Sequence, residues 1–418
     1  MYQAITTFNF VIFALFLLCY SYQAFYVAVP LFRRRRKNDN PALHRYAVVI
    51  SARNEQAVIG ELLDSLAAQS YPDECYDVYV VADNCTDETA RIAREHGAIV
   101  MERFNSRLVG KGYSLDYAFK AIERERGLRA YEGYFVFDAD NVLDENYLAE
   151  MNRTFDLGYR VVTSYRNSKN YDSNWISAGY ALWFLRESKY LNGSRMLLGT
   201  GCAISGTGFL VSSDIIARDG GWKYHLLTED IEFSVANAIE GEVIGYCDSA
   251  VLYDEQPIRF RDSWNQRLRW TKGFYQVFRR YGARLARGVF GRRGFQCYDM
   301  LMTIAPATIL TLVTVVCNSA VFLYGLQSGR TLLAELCLAQ VFGAVFGVYL
   351  SLFLFGLVTT ITEWRQIHCV WYRKILYLFT FPIFILTYVP IAMVALFKKV
   401  TWKPIAHTVI KSVQEIRQ

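Results

Sequence analysis

The chain has 418 residues, 53% hydrophobic, 16% aromatic and only 20% charged, which excludes a disordered chain and leaves room for more than one structural unit. Its mean hydropathy of +0.13 is high for a water-soluble protein of this size and points to a membrane protein. Lys and Arg outnumber Asp and Glu by 45 to 39, a modest excess that matters through its placement and does not call for nucleic acid as a partner.

Four apolar stretches are long enough to cross a bilayer as helices: about 8–32, 299–326, 332–360 and 374–397. The first is followed, not preceded, by a basic cluster, Arg33 to Lys37, so it reads as a retained anchor rather than a cleaved signal peptide. Positive charge stays cytosolic, which puts residues 33–298 inside. On a four-span count Lys398, Lys399 and Lys403 then fall outside, against the same rule, and the final stretch is the weakest of the four. The nine cysteines form no Cys-x-x-Cys pair and, with five scattered histidines, offer no zinc spacing.

Residues 46–250 alternate strand and helix. Short β-branched or aromatic runs at Tyr46–Ser51, Tyr76–Ala82, Ala98–Phe104, Tyr134–Phe137 and Arg160–Tyr165 read as strands. Val58, Ile59, Leu62, Leu63 and Leu66 repeat at helical spacing between them, as do Leu115, Ala118, Phe119 and Ile122. This predicts an α/β domain with a parallel sheet, whose ligands bind beyond the carboxyl ends of the strands. Three of those ends carry polar groups: Arg53-Asn54-Glu55, Asp83, and Asp138-Ala139-Asp140.

A lone Asp-x-Asp is usually a solvated loop, but directly behind a buried strand two carboxylates suit Mg²⁺ or Mn²⁺ shared with a diphosphate. Lys111, between Gly110 and Gly112 ahead of a helix, is either a phosphate ligand or a plain helix-start lysine. Thr228 is placed to cap a helix opening with Glu229 and Asp230, acids that would by themselves complement the helix dipole. Gln266, Arg269 and Trp270 share one helical face, a combination suited to a charged, sugar-like ligand, although a membrane-surface helix has the same composition. The Gly-rich run Gly199–Gly208 is either a surface for an acceptor or a flexible loop. Beyond Trp270, Phe274, Phe278 and six arginines from Arg279 to Arg293 read as an interfacial segment. Asn318 and Gln340, inside apolar stretches, face either a sugar-conducting path or, more commonly, a neighbouring helix.

The ordered set Arg53-Asn54-Glu55, Asp83, Gly110-Lys111, Asp138-x-Asp140, Thr228-Glu229-Asp230 and Gln266-x-x-Arg269-Trp270, followed by apolar spans, resembles the membrane-integrated family 2 glycosyltransferases, which include cellulose, chitin, hyaluronan and poly-N-acetylglucosamine synthases. The one departure within the motifs is Asn84-Cys85 in place of Gly-Ser. The resemblance implies a GT-A fold and inverting transfer from a UDP-sugar. Glu55 and Asp83 would contact the uridine with Lys111 nearby, and Asp138 and Asp140 would hold the diphosphate and its Mg²⁺ or Mn²⁺. Asp230, beside Glu229, would be the general base, with Gln266, Arg269 and Trp270 at the acceptor and diphosphate.

On this reading the chain divides into an anchor with its basic cluster (1–37), a cytosolic GT-A domain (45–262), acceptor-motif and interfacial helices (263–298), three transmembrane helices (299–397) and a tail (398–418). It would be a multi-pass protein of a bacterial plasma membrane. The expected activity is processive polysaccharide synthesis with coupled export, with or without an accessory subunit. The alternative is addition of a single sugar to a membrane lipid. A catalytically inert nucleotide-sugar binder fits least well, because the acids are intact.

Overall fold

The computed structural model describes residues 1–32, 38–405 and 407–417; side chains of Leu31 and of residues 306–309 are not described. The basic cluster Arg33 to Lys37 lies outside the described residues.

Apolar helices α1 (Tyr2–Tyr20) and α2 (Tyr22–Phe32) open the chain, separated at Ser21. The α/β unit follows: β1 (Tyr46–Ala52), α3 (Ile59–Ala67), β2 (Tyr76–Asp83), α4 (Thr89–Glu95), β3 (Ile99–Arg103), α5 (Lys111–Glu125), β4 (Gly133–Asp138), β5 (Val142–Leu143), α6 (Tyr147–Phe155) and β6 (Val161–Ser168). Then come α7 (Trp175–Arg186), continued by a π-helical turn to Asn192, α8 (Gly193–Leu198), β7 (Phe209–Ser212), α9 (Ser213–Arg218), α10 (Glu229–Ile239) and β8 (Ile244–Asp254). All five expected strands form where their β-branched and aromatic runs lie.

The sheet order is β3-β2-β1-β4-β7-β6-β8-β5. It is mostly parallel, as expected, with two reversed strands: β7 runs antiparallel to both β4 and β6, and β5 antiparallel to β8. Inserting one reversed strand leaves β6 and β8 parallel to β1–β4, so the carboxyl ends of β1, β2, β4, β6 and β8 share one edge. Both faces are covered, one by a core around Val49, Phe119 and Phe209 and the other by a core around Val48, Leu62 and Phe135.

The helical half consists of α11 (Phe260–Gly288), α12 (Gly294–Ile304), α13 (Pro306–Gln327), α14 (Thr331–Thr362), α15 (Trp371–Leu386), α16 (Tyr388–Phe397) and a short α17 (Val413–Arg417). Four helical stretches are long and apolar enough to cross a membrane: Tyr2–Pro30, Leu310–Gln327, Thr331–Thr362 and Trp371–Phe397. The second begins later than the sequence suggests, because residues 299–304 belong to α12. There Asp299 pairs with Arg195 at 2.7 and 2.8 Å and accepts from Tyr22 and Tyr26, each at 2.8 Å, tying α2, α8 and α12 into one buried polar knot.

Asn9 of α1 bonds to both Asn318 of α13 and Gln340 of α14, so the intramembrane polar groups join helices, the commoner of their two sequence readings. The last apolar stretch differs from the others. Of its most apolar eighteen residues 39% are buried against protein, compared with 6–11% in the other three. It breaks at Thr387, where Arg267 of α11 donates to Phe384 O at 3.0 Å and Thr387 Oγ1 at 2.6 Å. Near its start Arg373 donates to Asp172 O at 2.9 Å, and near its end Lys272 of α11 donates to Ala395 O at 2.9 Å. Its start therefore rests on the sheet-bearing unit and its end on α11, and the tail continues over the sheet's carboxyl edge.

Candidate active site

The loop after β1 is fixed by local chemistry. Asn54 adopts φ +57° and its Oδ1 accepts from Thr86 N–H at 2.8 Å, while Glu55 N–H donates to Thr89 Oγ1 at 2.9 Å. At the end of β2, Asp83 is locked to Arg103 at 2.5 Å with both side chains buried. Burial pushes its carboxyl up and Arg103 opposes that. Asn84 then takes φ +56°, a left-handed conformation that asparagine tolerates, donating to Asp83 Oδ1 and accepting from Asn105 N–H.

Lys111 opens α5 because Gly112 lets the helix approach Tyr224: a Cβ there would lie 2.2 Å from the Tyr224 carbonyl oxygen. The Lys111 ammonium pairs with Asp138 at the end of β4 and donates to Gly206 O at 2.8 Å. Asp138 N–H in turn donates to Thr207 Oγ1 at 2.9 Å. The second half of the Gly-rich run is thus part of the site, while Gly199 ends α8 elsewhere.

Asp230 opens α10 beside Glu229, against the Gly206 turn, where a Cβ on Gly206 would come 3.9 Å from Asp230 Oδ2. Burial raises its carboxyl, with Lys111 and Arg269 opposing; Glu229, buried beside it, is pushed up to about 8 by burial and by the Asp230 charge. Thr228 occupies the N-cap position, but its hydroxyl makes no cap and is buried without a partner, contrary to the sequence expectation. Its side chain is pressed against α11, where a Cβ on Gly273 would lie 2.5 Å from it.

Asp140 is buried, accepts from Glu255 N–H at 3.2 Å and lies 3.8 Å from His407 Nε2. Burial would raise its carboxyl, yet His407, Lys169 and Arg166 hold it below the ordinary value. Arg166 on β6 bonds Asp254 at 2.7 Å and Ser205 O at 2.8 Å, which secures the other side of the Gly206 loop.

Along α11, Trp270 packs edge-on against Tyr180 at 5.7 Å, and Gln266 Oε1 is buried without a partner. Arg269 makes no hydrogen bond or ion pair to a described residue, and its charge acts on Glu229 and Asp230. Glu55, Lys111, Asp138, Asp140, Glu229, Asp230 and Arg269 therefore gather within reach of one another's charge at the sheet edge, while Asp83 is held in its pair with Arg103. Arg166, Glu255, Trp402 and His407 escaped the sequence reading. For Arg166 a signal existed, since it directly follows the expected strand Arg160–Tyr165; for Glu255, behind β8, and for the tail residues none did.

A mixed sheet with acidic strand ends, backed by helices on both faces, is a GT-A fold. A comparable arrangement occurs in a mannosyltransferase from Pyrobaculum calidifontis, solved with GDP-Man and Mn²⁺, at TM-score 0.50 and 17% identity over 82% of this chain and 98% of that one. The chain belongs to the family described as Glycosyltransferase like family 2, whose model matches residues 44–273. Among curated relatives it is 25% identical over 291 residues to the beta-monoglucosyldiacylglycerol synthase of Nostoc sp., covering 66% of this chain and 58% of that protein. It is 24% identical over 248 residues to the poly-beta-1,6-N-acetyl-D-glucosamine synthase of Staphylococcus epidermidis, covering 58% of each. The chain thus spans less than two thirds of the length of these relatives.

Proposed function

We propose that the protein is an inverting glycosyltransferase that moves one hexosyl unit from a UDP-sugar to the hydroxyl of a membrane lipid. The observation that carries the transfer chemistry is the meeting of Asp230, the Lys111–Asp138 pair and the unpaired Arg269 at one sheet edge. Asp230 takes the proton of the acceptor hydroxyl as its oxygen bonds to the anomeric carbon, and the bond from that carbon to the diphosphate breaks on the opposite face. Arg269 and Lys111 stabilise the charge that accumulates on the departing UDP, and a single displacement inverts the centre. Asp138 and Asp140 offer only hard oxygen donors, and Asp138 is 40% exposed, so the pair fits Mg²⁺ or Mn²⁺ completed by diphosphate oxygens. Among the described residues no three acidic, His or Cys side chains form a cation cage. Bound there, it would neutralise diphosphate charge.

The lipid acceptor is favoured because Asn318 and Gln340, the span residues that the sequence offers to a sugar path, are engaged with Asn9 of α1. Similarity to the Nostoc enzyme supports the same reading. A second reading, processive polysaccharide synthesis with or without an export subunit, draws on Gln266-x-x-Arg269-Trp270 and on the Staphylococcus epidermidis relative. In either case we place the catalytic unit in the cytosol with α1–α2, α13 and α14 crossing the membrane. The anchoring of α15–α16 at both ends supports their return to the cytosolic side, which brings Lys398 and Lys399 into line with the positive-inside rule.

The test supplies purified protein with Mg²⁺ or Mn²⁺, diacylglycerol and, in turn, UDP-glucose, UDP-N-acetylglucosamine, UDP-glucuronate and UDP-galactose, then measures UDP release and sizes the product. A lipid bearing one sugar is expected. A ladder of long products establishes the second reading, and no UDP release from any donor rejects both.

A further inference from the structure

The tail beyond α16 runs across the carboxyl edge of the sheet and meets the site motifs one after another. The Arg53 guanidinium lies over the Trp402 indole at 5.2 Å, and that ring also borders Gly110, where a Cβ would come 4.0 Å from it. His407 Nδ1 bonds the Glu55 carboxylate at 3.0 and 3.1 Å. The N–H groups of Thr408 and Val409 donate to Glu255, whose own N–H supports Asp140. Farther on the tail is fastened away from these motifs: Ile416 is buried, and Arg417 pairs with Asp144 and bonds Tyr253.

We propose that the tail supplies two positioning residues of the donor site, His407 holding the Glu55 carboxylate and Trp402 fixing Arg53 beside the Gly110–Lys111 turn. The inference rests on the UDP-sugar reading above. Glu55 stands close to Asp138 and Asp140, whose charges repel it. A carboxylate in that company needs a donor on its remaining side to keep one orientation, and among the described residues His407 is the side chain that provides one. Trp402 does the equivalent for Arg53, covering one face of the guanidinium and limiting its rotamers. A tail serving only as a structural strap has its fastening at Ile416 and Arg417, whereas the Trp402 and His407 contacts both fall on motif residues. Because they act through Glu55 and Arg53 on the ground-state fit of the nucleotide, their loss should weaken donor binding and leave the chemical step nearly intact.

The full-length protein is compared with H407A and W402A by calorimetric titration with UDP and by UDP-release kinetics at varied donor and acceptor. Each variant is expected to raise the UDP Kd and the donor KM about tenfold, with kcat within about threefold, acceptor KM unchanged and the thermal midpoint held by the distal anchor. R417A, which loosens the anchor without touching Arg53 or Glu55, is expected to move the donor KM in the same direction by less. A donor KM unchanged in both H407A and W402A overturns the proposal, as does faster turnover in either, which would make the tail an obstruction. If the wild-type chain binds no UDP, the UDP-sugar reading falls and the proposal with it. If the wild type binds UDP and the variants match it, the proposal alone falls.

Discussion

Replacing Asp230 by asparagine removes the proposed proton acceptor while keeping its outline and one carbonyl oxygen beside the Gly206 turn. Positioned general-base catalysis is worth roughly 10²- to 10⁴-fold, or about 2.7–5.4 kcal/mol of barrier at 1.36 kcal/mol per tenfold. The expected result for D230N is a fall in kcat of that size, with donor KM and UDP affinity within about threefold of wild type. Stability should move the other way. Burial raises the folded-state pKa of Asp230, so ionising it costs the folded state, and wild-type stability declines as pH rises through that pKa. The amide has no charge to bury, so the D230N thermal midpoint should match or exceed wild type above neutral pH. Steady-state UDP release with parallel thermal unfolding tests both. A kcat within tenfold of wild type would refute Asp230 as base; a donor KM rising as far as kcat falls would reassign it to binding.

The Glu229–Asp230 pair sets the acid limb of the rate profile: kcat/KM should fall on acidification with an apparent pKa above the ordinary carboxylate range. Glu229, held up to about 8 by burial and by the Asp230 charge, is neutral where Asp230 ionises, so E229Q should leave that limb in place, and a limb moved by more than about one pH unit would disprove this order of ionisation. R195M leaves Asp299 buried with only Tyr22 and Tyr26, and a loss of about 3–5 kcal/mol is expected in thermal or denaturant unfolding; R195M combined with D299L should recover much of it. G208A places a Cβ 1.9 Å from Leu252 Cδ2 at a residue with φ +65°, so at least about 1–3 kcal/mol of destabilisation is expected by the same assay.

The strands legible in the sequence are those whose local pattern is uninterrupted. β1, β2 and β4 carry runs of Val, Ile, Tyr or Phe that only a buried strand accommodates. β7 and β8 were not legible, for local reasons: Phe209–Ser212 is four residues long and hidden behind a Gly-rich loop, while β8 contains Gly245 and the exposed Asp248-Ser249 beside a register shift. Reversal of β7 is a tertiary fact with no local signature, so the mixed sheet could not be read from the periodicity that revealed its strands.

The same distinction divides the site. Its acids were legible because strand ends concentrate at one edge, but a carboxylate's behaviour depends on which charges reach it. Asp138 meets Lys111 from α5, Asp230 feels Lys111 and Arg269, and Asp140 is held low against its burial by His407, Lys169 and Arg166. Glu55 meets His407 across 352 positions of sequence. Acids gathered at the same sheet edge are thereby driven in opposite directions: Asp140 toward ionisation, Glu229 and Asp230 toward protonation. That division suits a site in which one carboxylate must stay charged to hold a cation and another must accept a proton, and it is made by segments arriving from α5, β6, α11 and the tail.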